Sequence, residues 1–172
     1  MKIKSPIQIA LTAVFAALYA AGVVSFASIS FQLPFQVRIA DALLPLAMVF
    51  GWPAILGLSL GAFVANVFGG LGPVDMVGGA IANFLATFVA WKIFRRNGPR
   101  WMLVGAAMEI LVVTFIVGTY LHYLLGIALI PSWLGVFYGS FVAIGILGSV
   151  LLYGLMRRDI VGLLKSHAIT EK

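Results

Sequence analysis

Residues 36–75 read QVRIADALLPLAMVFGWPAILGLSLGAFVANVFGGLGPVD, and this stretch decides the fold. Two apolar runs flank Gly51-Trp52-Pro53, with Arg38, Asp41, Asn66 and Asp75 planted at their edges. A charge at mid-bilayer costs about 2.5–3.5 kcal/mol on insertion scales. Polar side chains at such positions therefore sit at an interface, satisfy one another, or meet a ligand.

The rest of the chain is of the same kind. Of its 172 residues, 63% are hydrophobic and 9% charged, where a soluble domain carries roughly 25% charged residues. Several runs reach or approach the ~20 residues that cross a ~30 Å hydrocarbon core. No ten-residue segments alternate apolar and polar, as a β-barrel would require. The fold class is an all-α integral membrane protein, one transmembrane domain over 1–172, with spans at about 7–28, 37–50, 53–69, 74–93, 101–126 and 132–156. The apolar run behind Lys2 and Lys4 is too long for a signal peptide and is taken as the first span. The net charge of +6 is placed at span ends, which assigns it to membrane orientation rather than to nucleic acid.

Charge parity fixes the number of crossings. Basic residues gather at Lys2 and Lys4, at Lys92, Arg95, Arg96 and Arg100, and at Arg157, Arg158 and Lys165. Basic loops stay cytoplasmic, so four crossings precede Lys92 and two follow it. Gly51-Trp52-Pro53 is then a tight inner turn, Pro53 suiting the first turn of a new helix, and both termini are cytoplasmic. Small residues recur every four positions: Ala13, Ala17 and Ala21; Gly57, Gly61 and Ala65; Gly78, Ala82, Ala86 and Ala90; Gly135 and Gly139. This spacing lets helix backbones approach closely in lipid. The first helix also carries Ala16 and Ala20, an arc wide enough to pack inward on one side and dock a partner on the other.

The polar residues form one candidate constellation. Arg38 and Asp41 are three apart and share a face, as an interfacial anchor or as the rim of a pocket. Asn66 lies near the outer end of the third span. Asp75 follows Gly72-Pro73 at the start of the fourth, where the helix dipole favours a carboxylate. Asn83 lies about 12 Å deeper, suited to an interhelical hydrogen bond. Glu109 is near mid-membrane, and an unpaired glutamate there carries a proton or needs a partner. At about 100° per residue, Tyr120 returns to nearly the face of Glu109 and Tyr123 lies within about 40° of it, whereas His122 points away. There is no GK[ST] phosphate loop, no HExxH and no histidine pair at metal spacing. The expectation is recognition groups in a membrane pocket, with no enzyme activity and no cofactor.

The alanine-striped first helix, QVRIADALLPL at 36–46 and GLSLGAFVANVFGGLGPVDMVGGAIAN at 57–83 resemble the QueT family. Its members are substrate-binding S components of energy-coupling factor (ECF) transporters, associated with uptake of queuosine precursors. The resemblance implies an S-component bundle that captures a solute outside and works with a membrane coupling protein and two ATPase subunits, which use ATP in place of this chain. It maps the coupling-protein contact onto Ala13, Ala17 and Ala21, with Ala16 and Ala20 leaving the register open. A 7-deazaguanine base offers a donor edge, and an aminomethyl derivative adds a cation, both of which carboxylates accept. Arg38, Asp41, Asn66, Asp75, Asn83, Glu109 and Tyr120 are accordingly the expected substrate-binding residues. An S component for another vitamin or base, and a structural membrane subunit without cargo, are the competing readings; an intramembrane enzyme is the weakest.

Overall fold

The structure is a computed structural model that describes residues 6–31 and 37–157. Lys2, Lys4, Gln36, Arg158 and Lys165, used in the readings above, lie outside the described residues. Five helices are long and apolar enough to cross a membrane, and a shorter apolar helix, Ile39–Phe50, joins them. In chain order the elements are α1 (Pro6–Ser25), a turn α2 (Ala27–Ser30), a 3-10 helix (Ile39–Leu46) running into α3 (Ala47–Phe50), α4 (Trp52–Gly69), α5 (Pro73–Asn97), α6 (Met102–Leu125), α7 (Leu129–Ser140), a π-helical segment (Phe141–Gly148) and α8 (Ser149–Arg157).

Five of the six expected spans are helices of membrane-crossing length, with altered ends, and the second, expected at 37–50, is the shorter helix Ile39–Phe50. The first stops at Ser25 rather than 28, and the last starts at Leu129 rather than 132. The fourth runs past 93 to Asn97, taking Arg95 and Arg96 into its last turn, where cations suit the helix dipole. The second span begins at Ile39, and its first eight residues are 3-10 rather than α, with Pro45 inside. This short element is the core of the bundle. Ala40, Leu44, Pro45, Leu46, Ala47 and Met48 are buried, and it packs against α1, α4, α5, α6 and the π segment.

Glycines set how closely the helices approach. A Cβ at Gly57 would lie 2.5 Å from the Thr12 carbonyl oxygen, and one at Gly61 would lie 2.7 Å from that of Ala16 and 2.8 Å from Tyr19 Cβ. Contacts rise in step along both chains, so α1 and α4 run parallel at backbone distance. At Gly148 a Cβ would lie 2.8 Å from Pro45 Cγ, so the π segment rests directly on the 3-10 helix. One face of α1 buries Phe15, Tyr19 and Val23, while Ala13, Ala17 and Ala21 are exposed on the other and Ala16 and Ala20 lie half-buried between.

The exterior is apolar. Leu18, Phe68, Leu103, Phe115, Ile130 and Val150 are all exposed, a pattern that only lipid accommodates. At the end bearing Lys92 and Arg95, Trp52 packs at a tilt against Phe88 and Trp91 at 5.6 and 5.7 Å between ring centres. Lys92 lies over Phe88 at 5.4 Å and Arg95 over Trp91 at 5.2 Å. Such a belt of rings and cations belongs at a membrane–water interface. The opposite end of the bundle, reached by the last turns of α4 and α6 and the first turn of α5, holds the polar residues.

Candidate functional site

Asp75 is the hub of that end. It is fully buried in the first turn of α5, and its Oδ2 bonds no backbone N–H of that turn or any other group among the described residues. Its carboxylate turns inward. Tyr120 donates its hydroxyl to Asp75 Oδ1 at 2.8 Å, and Arg38 Nη2 lies 3.8 Å from the same oxygen. Asn66 donates its amide to the Asp75 backbone carbonyl at 2.7 Å. Two glycines permit this convergence. A Cβ on Gly78 would stand 2.9 Å from the Tyr120 ring, and one on Gly79 would strike the Asn66 amide nitrogen. The Gly78-Gly79 pair thus admits α6 on one side and α4 on the other.

A second group lies beside the first. Tyr19 of α1 donates to Asp41 Oδ1 at 2.5 Å, and Asn83 lies within reach of the same hydroxyl. The Asn83 amide also donates to the Leu58 carbonyl at 3.4 Å, so the expected interhelical bond is made. Arg38 stands between the two groups, in electrostatic contact with Tyr19, Asp41, Tyr120 and Asp75, and Phe31 covers it with ring centre 5.8 Å from the guanidinium carbon. The nearest carboxylate to Arg38 is therefore that of Asp75, 37 positions away in sequence, rather than the neighbouring Asp41.

Arg38, Asp41, Gly79 and Asn83 line a hollow whose remaining walls are Val113, Val117, Val136 and Ser140. Its volume is about 20 Å³, room for about one water. Several buried polar atoms have no hydrogen-bond partner among the described residues: Arg38 Nε and Nη2, Asn66 Oδ1, Asp75 Oδ2 and both oxygens of Glu109. Native structures leave few such atoms, and four of these six belong to Arg38, Asn66 and Asp75 at the polar end of the bundle. Coulomb attraction at 3.8 Å is about 4 kcal/mol at an effective dielectric of about 20. Desolvation costs several kcal/mol per buried ion, so the intact pair adds little net stability, whereas removing one partner strands the other.

The seven expected binding residues divide as follows. Arg38, Asp41, Asn66, Asp75, Asn83 and Tyr120 are drawn together around or beside the hollow. Glu109 is fully buried but lies deeper, one helical turn before Val113 on α6. Tyr123 does not join the stripe from Glu109 to Tyr120, being 78% exposed. His122 sits half-buried at the helix end with Nδ1 against the Ile127 carbonyl at 2.5 Å. Sequence reasoning passed over Tyr19, Gly79 and Ser140. A lone phenol in an alanine-rich helix was the available signal for Tyr19.

The family model described as QueT transporter matches residues 9–157. No curated protein and no solved structure matches the chain. The match runs from the first turn of α1 to the end of α8, and with five helices of membrane-crossing length it makes this a multi-pass membrane protein of a transport family.

Proposed function

We propose that this chain, which belongs to the QueT transporter family, is the substrate-binding S component of an ECF-type importer. It captures a queuosine precursor, a 7-deazaguanine base, on the outer side of the membrane. An associated coupling protein and two ATPase subunits then drive its delivery inward. The observation that carries this reading is the buried Arg38, Asp41 and Asn83 lining a hollow walled by valines, with the buried Asp75 and the half-buried Tyr120 bonded to each other beside it. It offers acceptors for the donor edge of such a base and a guanidinium and amides for its carbonyl, with Val113, Val117 and Val136 against the ring face. Ligand sites usually enclose about 300–1,000 Å³, so a hollow of about 20 Å³ must widen as the base enters.

The exposed Ala13, Ala17 and Ala21 suit the coupling-protein contact. Small side chains let a partner helix approach closely, and Ala16, whose carbonyl oxygen faces Gly61, is already engaged by α4. The test is direct. The purified full chain should retain a 7-deazaguanine detectable by mass spectrometry and bind it in equilibrium titration. Ala17→Leu should keep that binding but lose uptake when combined with the coupling protein and ATPases. Retention of a different vitamin or base would replace the cargo; no ligand-dependent thermal shift with any solute would favour a structural subunit.

A further inference from the structure

The end of the bundle away from the polar site carries a second hollow. It lies between the 3-10 turn Pro99–Trp101, where α5 hands over to α6, and the last turns of α8. Pro99, Met102, Tyr153 and Met156 wall it, and its volume is about 210 Å³. That exceeds the roughly 150 Å³ of an engineered apolar cavity that takes up a benzene. Pro99 and Tyr153 are exposed and the two methionines half-buried, so the hollow is an open groove in the apolar exterior. Methionine side chains adapt to irregular, flexible occupants.

Four exposed cations stand at the same end: Lys92, Arg95, Arg96 and Arg100. They are not equivalent. Lys92 and Arg95 lie over the rings of Phe88 and Trp91, whereas Arg96 and Arg100 make no hydrogen bond, ion pair or ring contact among the described residues. Arg100 directly follows Pro99 of the groove wall, and Arg96 precedes it by three positions. The acids among the described residues, Asp41, Asp75 and Glu109, are all buried within the bundle, so none neutralises these two guanidinium groups. The tryptophans of the nearby ring belt mark the level of the membrane–water interface, which is where lipid phosphates lie.

We infer that the groove seats an acyl chain of an anionic phospholipid whose phosphate is met by Arg96 and Arg100. A guanidinium fork matches phosphate oxygens in geometry and charge, and the groove adds a contact that charge alone does not supply. A zwitterionic headgroup brings an ammonium group of its own to the arginines and is disfavoured. Basic ends of membrane proteins face the cytoplasm, the side on which anionic lipids attract them. The inference is independent of the cargo reading.

The full chain carrying Tyr153→p-benzoylphenylalanine, a photoreactive ring in the groove wall, is reconstituted into vesicles of equal parts phosphatidylglycerol and phosphatidylcholine. After illumination, mass spectrometry identifies what has been captured. Phosphatidylglycerol should exceed phosphatidylcholine by about 5-fold or more, the weight of one cation near a membrane surface. Arg96→Gln with Arg100→Gln should bring the ratio near one. Lys92→Gln with Arg95→Gln removes the same charge and should leave the ratio standing. Equal capture of the two lipids, or an equal fall in both double variants, overturns the inference by reducing it to a diffuse field. Capture of residues 158–172 or of a second copy in place of lipid also overturns it. Native mass spectrometry of the unmodified chain with the same two lipids reads the same ratio without the photoreactive ring, so the matter is decided even where that variant does not fold.

Discussion

Replacing Arg38 by methionine tests whether the buried cluster is held by charge balance. The change keeps much of the apolar stem and removes the guanidinium that faces Asp75 at 3.8 Å and Asp41 beside it. Arg38 is 7% exposed and Asp75 fully buried, so water cannot replace the lost charge. Breaking a buried pair on one side costs about 3–5 kcal/mol, because a charge is left uncompensated. At about 2–4 °C per kcal/mol for a chain of this size, the midpoint of thermal unfolding in detergent should fall by roughly 6–20 °C. Asp75→Asn should cost less, since it removes an acid from a site that has an excess of them and keeps a group to accept the Tyr120 hydroxyl. The double variant should then recover about 1–3 kcal/mol relative to the sum of the two single changes. Strict additivity across the cycle, or an Arg38→Met protein that unfolds at the wild-type temperature, would refute the claim that the two residues neutralise each other.

Gly61→Ala places a methyl 2.7 Å from the Ala16 carbonyl and 2.8 Å from Tyr19 Cβ; neither can rotate away, so α1 must shift and stability should fall by about 1–3 kcal/mol, read by thermal melting. Gly79→Ala should push the Asn66 amide off the Asp75 carbonyl, a loss of about 1–3 kcal/mol for the unpaired buried group. Adding Asn66→Ala to that variant should then cost less than it does in the wild-type chain. Tyr19→Phe leaves Asp41 without its donor and should weaken cargo binding in titration by about 10-fold, a hydrogen bond to a charged group being worth about 1.5–3 kcal/mol.

Much of the fold was legible because lipid imposes simple rules. Apolar length gave five helices of membrane-crossing length and the shorter Ile39–Phe50, and glycine spacing at 57 and 61 gave a close helix contact, which the backbone makes with α1. The pitch of two segments was not legible. Ile39–Leu46 is too short for periodicity to separate a 3-10 helix from an α-helix, and the π segment at Phe141–Gly148 differs by a single residue in each ring of hydrogen bonds. At the site, the residue types pointed to a cluster, whereas the pairings did not follow from spacing. Tyr19 and Asp41 are 22 positions apart and Tyr120 and Asp75 are 45 apart. Only the packing of α1 and α6 against the short central helix and α5 decides which polar atoms meet. Spacing places Arg38 beside Asp41, with which it lines the hollow, but the ion pair with Asp75 is not visible in the chain.

Tyr19 lies two residues from both Ala17 and Ala21, a rotation of about 200° at 3.6 residues per turn, so the phenol and the methyls project from opposite sides of a single rod. An α-helix does not twist independently at neighbouring turns. A change that shifts the α1 backbone at Tyr19, which bonds Asp41 on the inside, therefore also shifts the exposed methyls of Ala17 and Ala21 on the outside.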